Sequence, residues 1–387
     1  MEPIVLNGIT WGHSRGLTPL LAAAQRYTEL HPHITINWKK RTLQEFADFP
    51  IEKLAETYDL LIVDHPWVGC ANATKCVLPL DEFLPSAYLQ DQLENTVGYS
   101  HLSYEFAGKQ WALAIDAATP VASYRKDLLE LHGVQLPDTW DDLLALAAKG
   151  KVLVPGIAID TLMAFYSFCI AHGKQPFIEQ DDNEVIEKPI GLKALQSMKT
   201  LWDLCDPVIF GLNPIAVAEK MTQTDDYFYC PFAYGYSNYT RRGYGHSRLH
   251  YANTVRFGSF GRLKTTLGGT GISVSANSLH KDIAVDFAQW VVSPAIQEGL
   301  YTENGGQPGH RKAWLSEVNN ALTQNYFSQT LPVLDNAYVR PRYNGYLHFQ
   351  DLAGDPVKHF LQFGGDAENV LKEINRIYAE SKLHGKK

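Results

Sequence analysis

The chain of 387 residues lacks the features of several large protein classes. No window approaches about 18 consecutive apolar residues, so the sequence predicts no membrane-spanning helix. The net charge is −8, and no run of Lys and Arg is interleaved with aromatic residues, which argues against a nucleic-acid partner. The N-terminus lacks a basic region followed by an apolar one. We therefore expect a periplasmic or cell-surface protein whose signal has been removed, or a cytoplasmic one.

Sequence signatures of common enzymes and metal sites are also absent. The chain contains no Walker motif, no GxSxG and no HExxH. Its five cysteines form no CxxC pair and no Cys–His spacing typical of zinc. Cys70 with Cys76 and Cys205 with Cys230 are the disulfide pairs left open, and either choice leaves an odd cysteine. We expect no enzyme activity, no cofactor and no resident metal.

Aromatic and apolar residues are abundant. The composition is 45% hydrophobic and 12% aromatic, with 20 Tyr and 8 Trp. A chain of this length exceeds what one hydrophobic core usually serves, so two domains are expected. Because Tyr and Trp each combine a flat apolar face with a polar group, their number favours a binding cleft in addition to a core.

The first part of the chain alternates between strand and helix patterns. The predicted elements are, in order, a strand Ile4–Ile9, a helix from about Pro19 to Leu30 capped by Thr18, a strand Ile34–Trp38, helical pieces over Leu43–Leu54, and a strand Tyr58–Val63. This alternation predicts a parallel sheet covered by helices. Ligands bind beyond the carboxyl ends of such strands, so the loops 10–16 and 64–69 are expected at the same edge.

The stretch Leu267–Arg311 combines a glycine-rich turn, a short strand, a helix and a second glycine-rich turn. In the helix, Ile283, Phe287, Trp290 and Val291 fall on one face of a 3.6-residue period. The glycines on either side permit a close approach of the backbone to another group. We therefore expect the first turn to bring bare backbone amides to a ligand.

Four segments resemble the family 1 extracellular solute-binding proteins, the substrate-capturing subunits of bacterial ABC importers, especially those for sugars. They are LTPLLAAAQRYTELHPHITINW, YDLLIVDHP, GKQWALAIDAATPVASYRKDLLELHGVQLPDTWDDLLALA, and GGTGISVSANSLHKDIAVDFAQWVVSPAIQ followed by NGGQPGHR. They occur in the family's order across nearly the whole chain. The third and fourth segments are long enough to make the resemblance specific.

The resemblance implies an α/β fold of two lobes, the periplasmic-binding-protein fold, with an interlobe ligand cleft and a hinge. We expect residues 1–115 and 266–310 to form the N-terminal lobe, and residues 116–265 and 311–387 the C-terminal lobe. The implied function is capture of a small polar solute, above all a carbohydrate, by hinge closure and its delivery to the membrane subunits of an ABC transporter. The protein is expected to act as a monomer.

Ligand contacts are expected from polar and aromatic side chains near the predicted loops and the glycine turns. A carbohydrate offers hydroxyl groups for charged and amide side chains, and apolar faces for Trp or Tyr. The candidate binding residues are Trp11, His13, Ser14, Arg15, Asp64, His65, Trp67, Asp116, Tyr234, Tyr236, Gly269, Thr270, Gly271, Gln307 and Arg342.

Three alternatives remain open at the level of sequence. The ligand could be an anionic metabolite, such as a sugar acid or carboxylate, held by His13 and His65 in their cationic forms. A thiaminase-like enzyme on the same fold would use Cys70 or Cys230 as its nucleophile. A ferric-ion-binding protein would use Tyr234 and Tyr236 together with one of the two histidines.

Overall fold

The computed structural model describes residues 2–42, 51–177, 184–259 and 261–384. Contacts divide the chain into two compact units. Unit 1 comprises Met1–Ala118, Leu267–Leu322 and Arg342–Asn344, and unit 2 comprises Thr119–Thr266, Thr323–Pro341 and Gly345–Lys387. The lobe boundaries expected from the sequence differ from this division: residues 116–118, 311–322 and 342–344 lie in unit 1 and residue 266 lies in unit 2, because their contacts are with those parts of the chain.

Unit 1 is built on a five-stranded sheet with the strand order β2-β1-β3-β10-β6. Its strands are β1 (Ile4–Trp11), β2 (Ile34–Arg41), β3 (Leu60–Val63), β6 (Leu113–Ala118) and β10 (Gly268–Val274). Strand β1 pairs in parallel with both β2 and β3, which confirms the predicted parallel sheet and places the carboxyl ends of β1 and β3 at the same edge. Strand β10 is antiparallel to its two neighbours, β3 and β6.

Helices surround this sheet. Those of unit 1 are Ser14–Leu30, Ile51–Ala55, Val68–Thr74, Ser86–Asn95, Ser100–Ser103, Lys281–Val291, Pro294–Ile296, Arg311–Leu315 and Glu317–Leu322, with 3₁₀ turns at His65–Trp67 and Leu80–Glu82 and a π-helical turn at Gln297–Tyr301. A two-stranded ribbon joins β4 (Glu105–Phe106) to β5 (Lys109–Gln110). The predicted helix after Leu267 is Lys281–Val291, and its residues Phe287 and Val291 are fully buried, as the periodicity indicates. Residues 43–50 of the predicted helical pieces lie outside the described residues.

The first helix begins at Ser14, five residues before the predicted start at Pro19. Its N-cap is His13, whose Nδ1 accepts a hydrogen bond of 3.0 Å from the backbone N–H of Arg15. Gly16 allows this early start, since a Cβ there would lie 2.3 Å from Nε1 of Trp11. Pro19 is buried inside the helix and does not open it. The expected loop 10–16 is therefore reduced to Gly12 and His13 between β1 and the helix.

Unit 2 packs helices around a three-stranded sheet with the order β8-β7-β9. The strands are β7 (Pro120–Tyr124), β8 (Tyr229–Tyr234) and β9 (His250–Ala252). The helices are Lys126–Leu131, Trp140–Ala147, Ala158–Ala171, Lys188–Trp202, Pro214–Gln223, Tyr326–Asp335, Tyr346–Phe363 and Ala367–His384, with 3₁₀ turns at Pro207–Gly211 and Ser237–Thr240. The helix Ala158–Ala171 is buried along most of its length, including Phe165 and Phe168. Over the described residues, no helix combines the length and apolarity that crossing a membrane requires.

Candidate functional site

The end of β1 carries a cluster of four predicted binding residues. The indole of Trp11 stacks on the ring of His13 at 5.5 Å and lies 5.5 Å from the guanidinium of Arg15. Arg15 donates from Nε to Oδ2 of Asp116 at 2.9 Å and from Nη2 to the other carboxylate oxygen. Both charged side chains are almost fully buried. Ser14 and His13 remain half-buried, so they are the members of this cluster that offer polar surface.

Burial and a neighbouring cation determine the charge state of this cluster. Burial, together with Arg15, lowers the pKa of His13 to about 3, which leaves its imidazole neutral at physiological pH. The pKa of Asp116 is raised, because the effect of burial exceeds the opposing effect of the adjacent Arg15 guanidinium. The Arg15–Asp116 pair thus neutralises the guanidinium group inside unit 1.

The end of β3 carries Asp64, His65 and Trp67 in a single 3₁₀ turn. Asp64 caps this turn by accepting a hydrogen bond of 2.8 Å from the backbone N–H of His65. Its Oδ1 also lies 3.2 Å from Nδ1 of His65. The His65 ring is fully buried edge-on to Tyr104, at 6.4 Å, and Trp67 is buried as well. Asp64 is the one of these three predicted residues that is half-buried.

Strand β10 lies between β3 and β6. Thr270 lies opposite Asp116 of β6, and Gly271 lies opposite Val63 at the end of β3. The glycines are required by packing: a Cβ at Gly269, where φ is +98°, would lie 2.3 Å from the carbonyl oxygen of Asp116. A Cβ at Gly271 would lie 2.7 Å from that of Ala112. Contact of their amides with a ligand stays a prediction.

Gln307 and Arg342 hold backbone segments in unit 1. The side chain of the fully buried Gln307 donates from Nε2 to the backbone carbonyl of Ala117 at 2.9 Å. The backbone carbonyl of Gln307 accepts from the backbone N–H of Ala117 at 3.0 Å. Arg342 donates from Nη1 to three backbone carbonyls, those of Leu102, Ser103 and Glu105. Burial lowers the pKa of Arg342. These contacts give both side chains a structural role, and a contact with ligand is untested.

In unit 2, Tyr234 and Tyr236 differ in their surroundings. Tyr234 ends β8, is half-buried, and its hydroxyl lies 2.9 Å from Oγ1 of Thr266. Tyr236 is buried, and its carbonyl accepts a hydrogen bond of 3.1 Å from the hydroxyl of Tyr251. Its ring contacts Tyr239 edge-on at 6.4 Å. Tyr236 therefore belongs to the aromatic packing of unit 2, whereas Tyr234 is half-buried, and its contact with a ligand stays a prediction.

Tyr234 also lines a small recess that the sequence analysis did not predict. This unit 2 recess is bordered, among others, by Pro155, Asp160, Ser167, Phe232, Tyr234 and Thr265. It has room for about one water molecule. Asp160 lies in the first turn of Ala158–Ala171, and its pKa is raised to about 8 by burial. The sequence signal for this residue is a lone carboxylate at the start of an otherwise apolar helix.

Of the two cysteines considered as nucleophiles, Cys230 is buried and Cys70 is half-buried. Burial and the nearby Glu52 raise the pKa of Cys70 to about 12. Burial also raises the pKa of Cys230 to about 12. All five cysteines are in the free thiol form, so neither of the two disulfide pairs left open by the sequence is present in the structure. Among the described residues, no group of three His, Cys, Asp or Glu side chains is arranged to hold a metal ion.

A family model for bacterial extracellular solute-binding proteins matches residues 12–298. The chain belongs to this family. The match confirms the resemblance drawn from the sequence motifs. Solute binding is the function that this membership shows.

Solved structures of low sequence identity share the fold. Maltose-bound MalE3 of T. maritima is 20% identical, with a TM-score of 0.84, and the alignment covers 98% of this chain and 100% of that one. An ABC transporter solute-binding protein from Agrobacterium radiobacter K84, in complex with ribitol, is 18% identical, with a TM-score of 0.83 and coverage of 98% and 99%. A solute-binding protein from Thermotoga lettingae TMO, bound to α-D-tagatose, is 16% identical, with a TM-score of 0.78 and the same coverage. These likenesses confirm the predicted two-lobe α/β fold of periplasmic binding proteins.

Proposed function

We propose that this protein captures a neutral carbohydrate and delivers it to the membrane subunits of an ABC transporter. Family membership supports solute binding, and the three related structures described above hold a sugar or a polyol. In this proposal the protein acts as a monomer outside the cytoplasmic membrane and does not transform its ligand. The half-buried residues His13, Ser14, Asp64 and Tyr234 provide polar contacts for hydroxyl groups.

The observation that carries the proposal is that the groups an anionic ligand would need as cations are either bound within the protein or uncharged. The guanidinium of Arg15 is paired with Asp116. That of Arg342 is bound to three backbone carbonyls. The imidazole of His13 is neutral above pH 5 because its pKa is about 3. A ligand that carries hydroxyl groups and no charge therefore fits these residues better than a sugar acid or a carboxylate does.

The thiol groups support binding over catalysis. A cysteine nucleophile reacts as its thiolate, so an effective one has a pKa near or below the ambient pH. The pKa values of Cys70 and Cys230 are both raised to about 12, which keeps these thiols protonated at neutral pH. We expect iodoacetamide to label both residues slowly at pH 7 in the folded protein. Rapid labelling that a ligand blocks would instead favour the thiaminase-like alternative.

A thermal-shift screen tests the proposed function. The panel contains maltose, maltotriose, ribitol and tagatose as neutral probes, and gluconate, glucuronate and succinate as anionic ones. A ligand that binds only the folded protein stabilises it, by about 2.7 kcal/mol when the ligand concentration is 100 times its Kd, and so raises the melting temperature. We expect at least one neutral probe to raise the melting temperature and the anionic probes to have no effect. A shift with anionic probes alone, or with none of the panel, would reject the proposal.

Site variants add a local test. His13→Ala and Tyr234→Ala should each weaken binding of the active probe, because both side chains are half-buried beside predicted contacts. His33→Ala is the matched control. His33 directly precedes β2, whereas His13 follows the parallel strand β1, so the two histidines lie at opposite ends of these strands. Equal affinity of all three variants and the wild type would remove these residues from the site.

A further inference from the structure

Asp160 is a buried carboxyl group that the described fold leaves without a hydrogen bond at one oxygen. The side chain is 7% exposed. Its Oδ2 has no hydrogen-bond partner among the described residues. A buried polar atom that lacks a partner costs free energy, so its retention requires a reason outside the packing of the free protein.

The surroundings of Asp160 show that no cation compensates for it. Burial is the cause of the raised pKa, with no contribution from a neighbouring Arg, Lys or His. The residues beside it in the unit 2 recess are largely apolar, among them Pro155, Met163 and Phe232. At about pH 7 the carboxyl is mostly protonated, so it can both donate and accept a hydrogen bond.

The remaining polar groups of the recess already have hydrogen bonds within unit 2. Ser167 donates to the carbonyl of Met163 at 3.1 Å. Thr265 donates to the carbonyl of Pro120 at 2.8 Å. The hydroxyl of Tyr234 contacts Oγ1 of Thr266. Asp160 therefore differs from the other polar residues of the recess, because its Oδ2 is left for a group that enters from outside.

The size of the recess limits that group. Room for about one water molecule is also room for one hydroxyl group, whereas a phosphate or a carboxylate is larger. Pro120 and Thr265 of the recess lie close in sequence to two of the five points at which the chain passes between unit 1 and unit 2, at residues 118–119 and 266–267. The recess is also bordered by Tyr234, the half-buried residue of unit 2 to which the proposed function gives a ligand contact.

We propose that the unit 2 recess receives one hydroxyl group of the bound carbohydrate and that the carboxyl of Asp160 hydrogen-bonds to it. This assignment rests on the proposed function and makes it more specific: it names Asp160 as the unit 2 residue that selects a hydroxyl at one position of the ligand. Without ligand, a water molecule occupies the same place. On binding, the ligand hydroxyl displaces this water and keeps its hydrogen bond to the carboxyl.

Two substitutions at Asp160 test the assignment by isothermal titration calorimetry with maltose, maltotriose, ribitol and tagatose. Asp160→Leu removes the hydrogen bond and should raise Kd about 10-fold for the probe that the wild type binds. Asp160→Asn keeps a donor and an acceptor at this position and should raise Kd less. The control is Asp141→Asn, another aspartate in the first turn of a unit 2 helix, but an exposed one, and its Kd should equal that of the wild type.

The melting temperature without ligand separates a binding role from a structural one. Asp160→Leu should melt at or above the temperature of the wild type, because it replaces a buried carboxyl group whose Oδ2 has no partner among the described residues. A lower melting temperature combined with an unchanged Kd would overturn the proposal in favour of a structural role. An unchanged Kd alone would also overturn it and leave the proposed function intact. If the wild type binds none of the four probes, the proposed function itself fails, and the Asp160 assignment fails with it.

Discussion

Removal of the Arg15 guanidinium should be one of the most damaging single changes in unit 1. Arg15 links the helix Ser14–Leu30 to Asp116 in β6 through two charge-assisted hydrogen bonds, and the side chains are 4% and 2% exposed. In Arg15→Met the Asp116 carboxylate stays buried without a cation. Breaking a buried pair in this way costs about 3–5 kcal/mol. For a unit of this size, the corresponding fall in melting temperature is roughly 6–20 °C.

Differential scanning calorimetry, supported by urea unfolding, measures this loss. Arg15→Met with Asp116→Leu should regain much of the lost stability, because an apolar pair leaves no buried charge unpaired. The control Arg26→Met removes an exposed ion pair with Glu29 on the same helix and should leave the melting temperature unchanged. The reasoning is refuted if Arg15→Met melts like the wild type, or if the double variant is as unstable as the sum of the two single ones.

The pH dependence of Arg15→Met provides a second check with a defined sign. Without the guanidinium, only burial acts on Asp116, and burial raises its folded-state pKa above the unfolded value of about 3.9. The folded state then binds the proton more tightly than the unfolded state does. The variant should therefore lose stability relative to the wild type as pH rises from the unfolded-state pKa of Asp116 towards its raised folded-state pKa. The stability difference between variant and wild type is then smaller at pH 5 than at pH 8.

Three further predictions concern packing and protonation. Gly69→Ala should lower the free energy of unfolding by about 1–3 kcal/mol, and with it the melting temperature, because the new Cβ would lie 2.0 Å from the carbonyl oxygen of Arg342. Gly299→Ala is the control and should leave the melting temperature unchanged, since position 299 has open space and an ordinary φ. Affinity for a neutral carbohydrate should stay constant from pH 5.5 to 7 by calorimetry, since His13 titrates at about 3 and Asp160 at about 8; affinity that falls as pH rises over this range would indicate an anionic ligand. The buried His101, with a pKa lowered to about 4, should make the wild type lose stability as pH falls from about 6.5 towards 4, by about 1.4 kcal/mol per pH unit, and His101→Gln should lose less in urea unfolding.

The sequence predicts those parts of the fold that local periodicity determines. Strands β1, β2 and β3 occur where apolar runs and helix signals alternate, and their parallel pairing follows from that alternation. The predicted start of the first helix at Pro19 was wrong. Thr18 and Pro19 form a good local cap, but the tertiary contact of Gly16 with Trp11 favours an earlier start. Tertiary contacts can override a local capping signal in this way.

The candidate site was less predictable because its residues depend on long-range contacts. The glycines at 269 and 271 suggest backbone exposure in the sequence, but in the structure they allow β10 to pack against β6 and Tyr104. Arg342 lies far along the chain from the carbonyl groups that it binds in unit 1. Asp160 lies in an apolar helix, and only the folded unit 2 shows that its carboxyl group faces a recess. Composition and spacing contain no signal for such contacts.

Calorimetric titration of the wild type with matched neutral and acidic sugars tests most directly the claim that the ligand is an uncharged carbohydrate. Suitable pairs are glucose with glucuronate and galactose with galacturonate, measured beside maltose, ribitol and tagatose at pH 7. We predict saturable one-to-one binding of at least one neutral compound, and weaker binding of the acid wherever a pair is bound. Tighter binding of the acids, or no saturation by any neutral compound up to millimolar concentration, would contradict the claim.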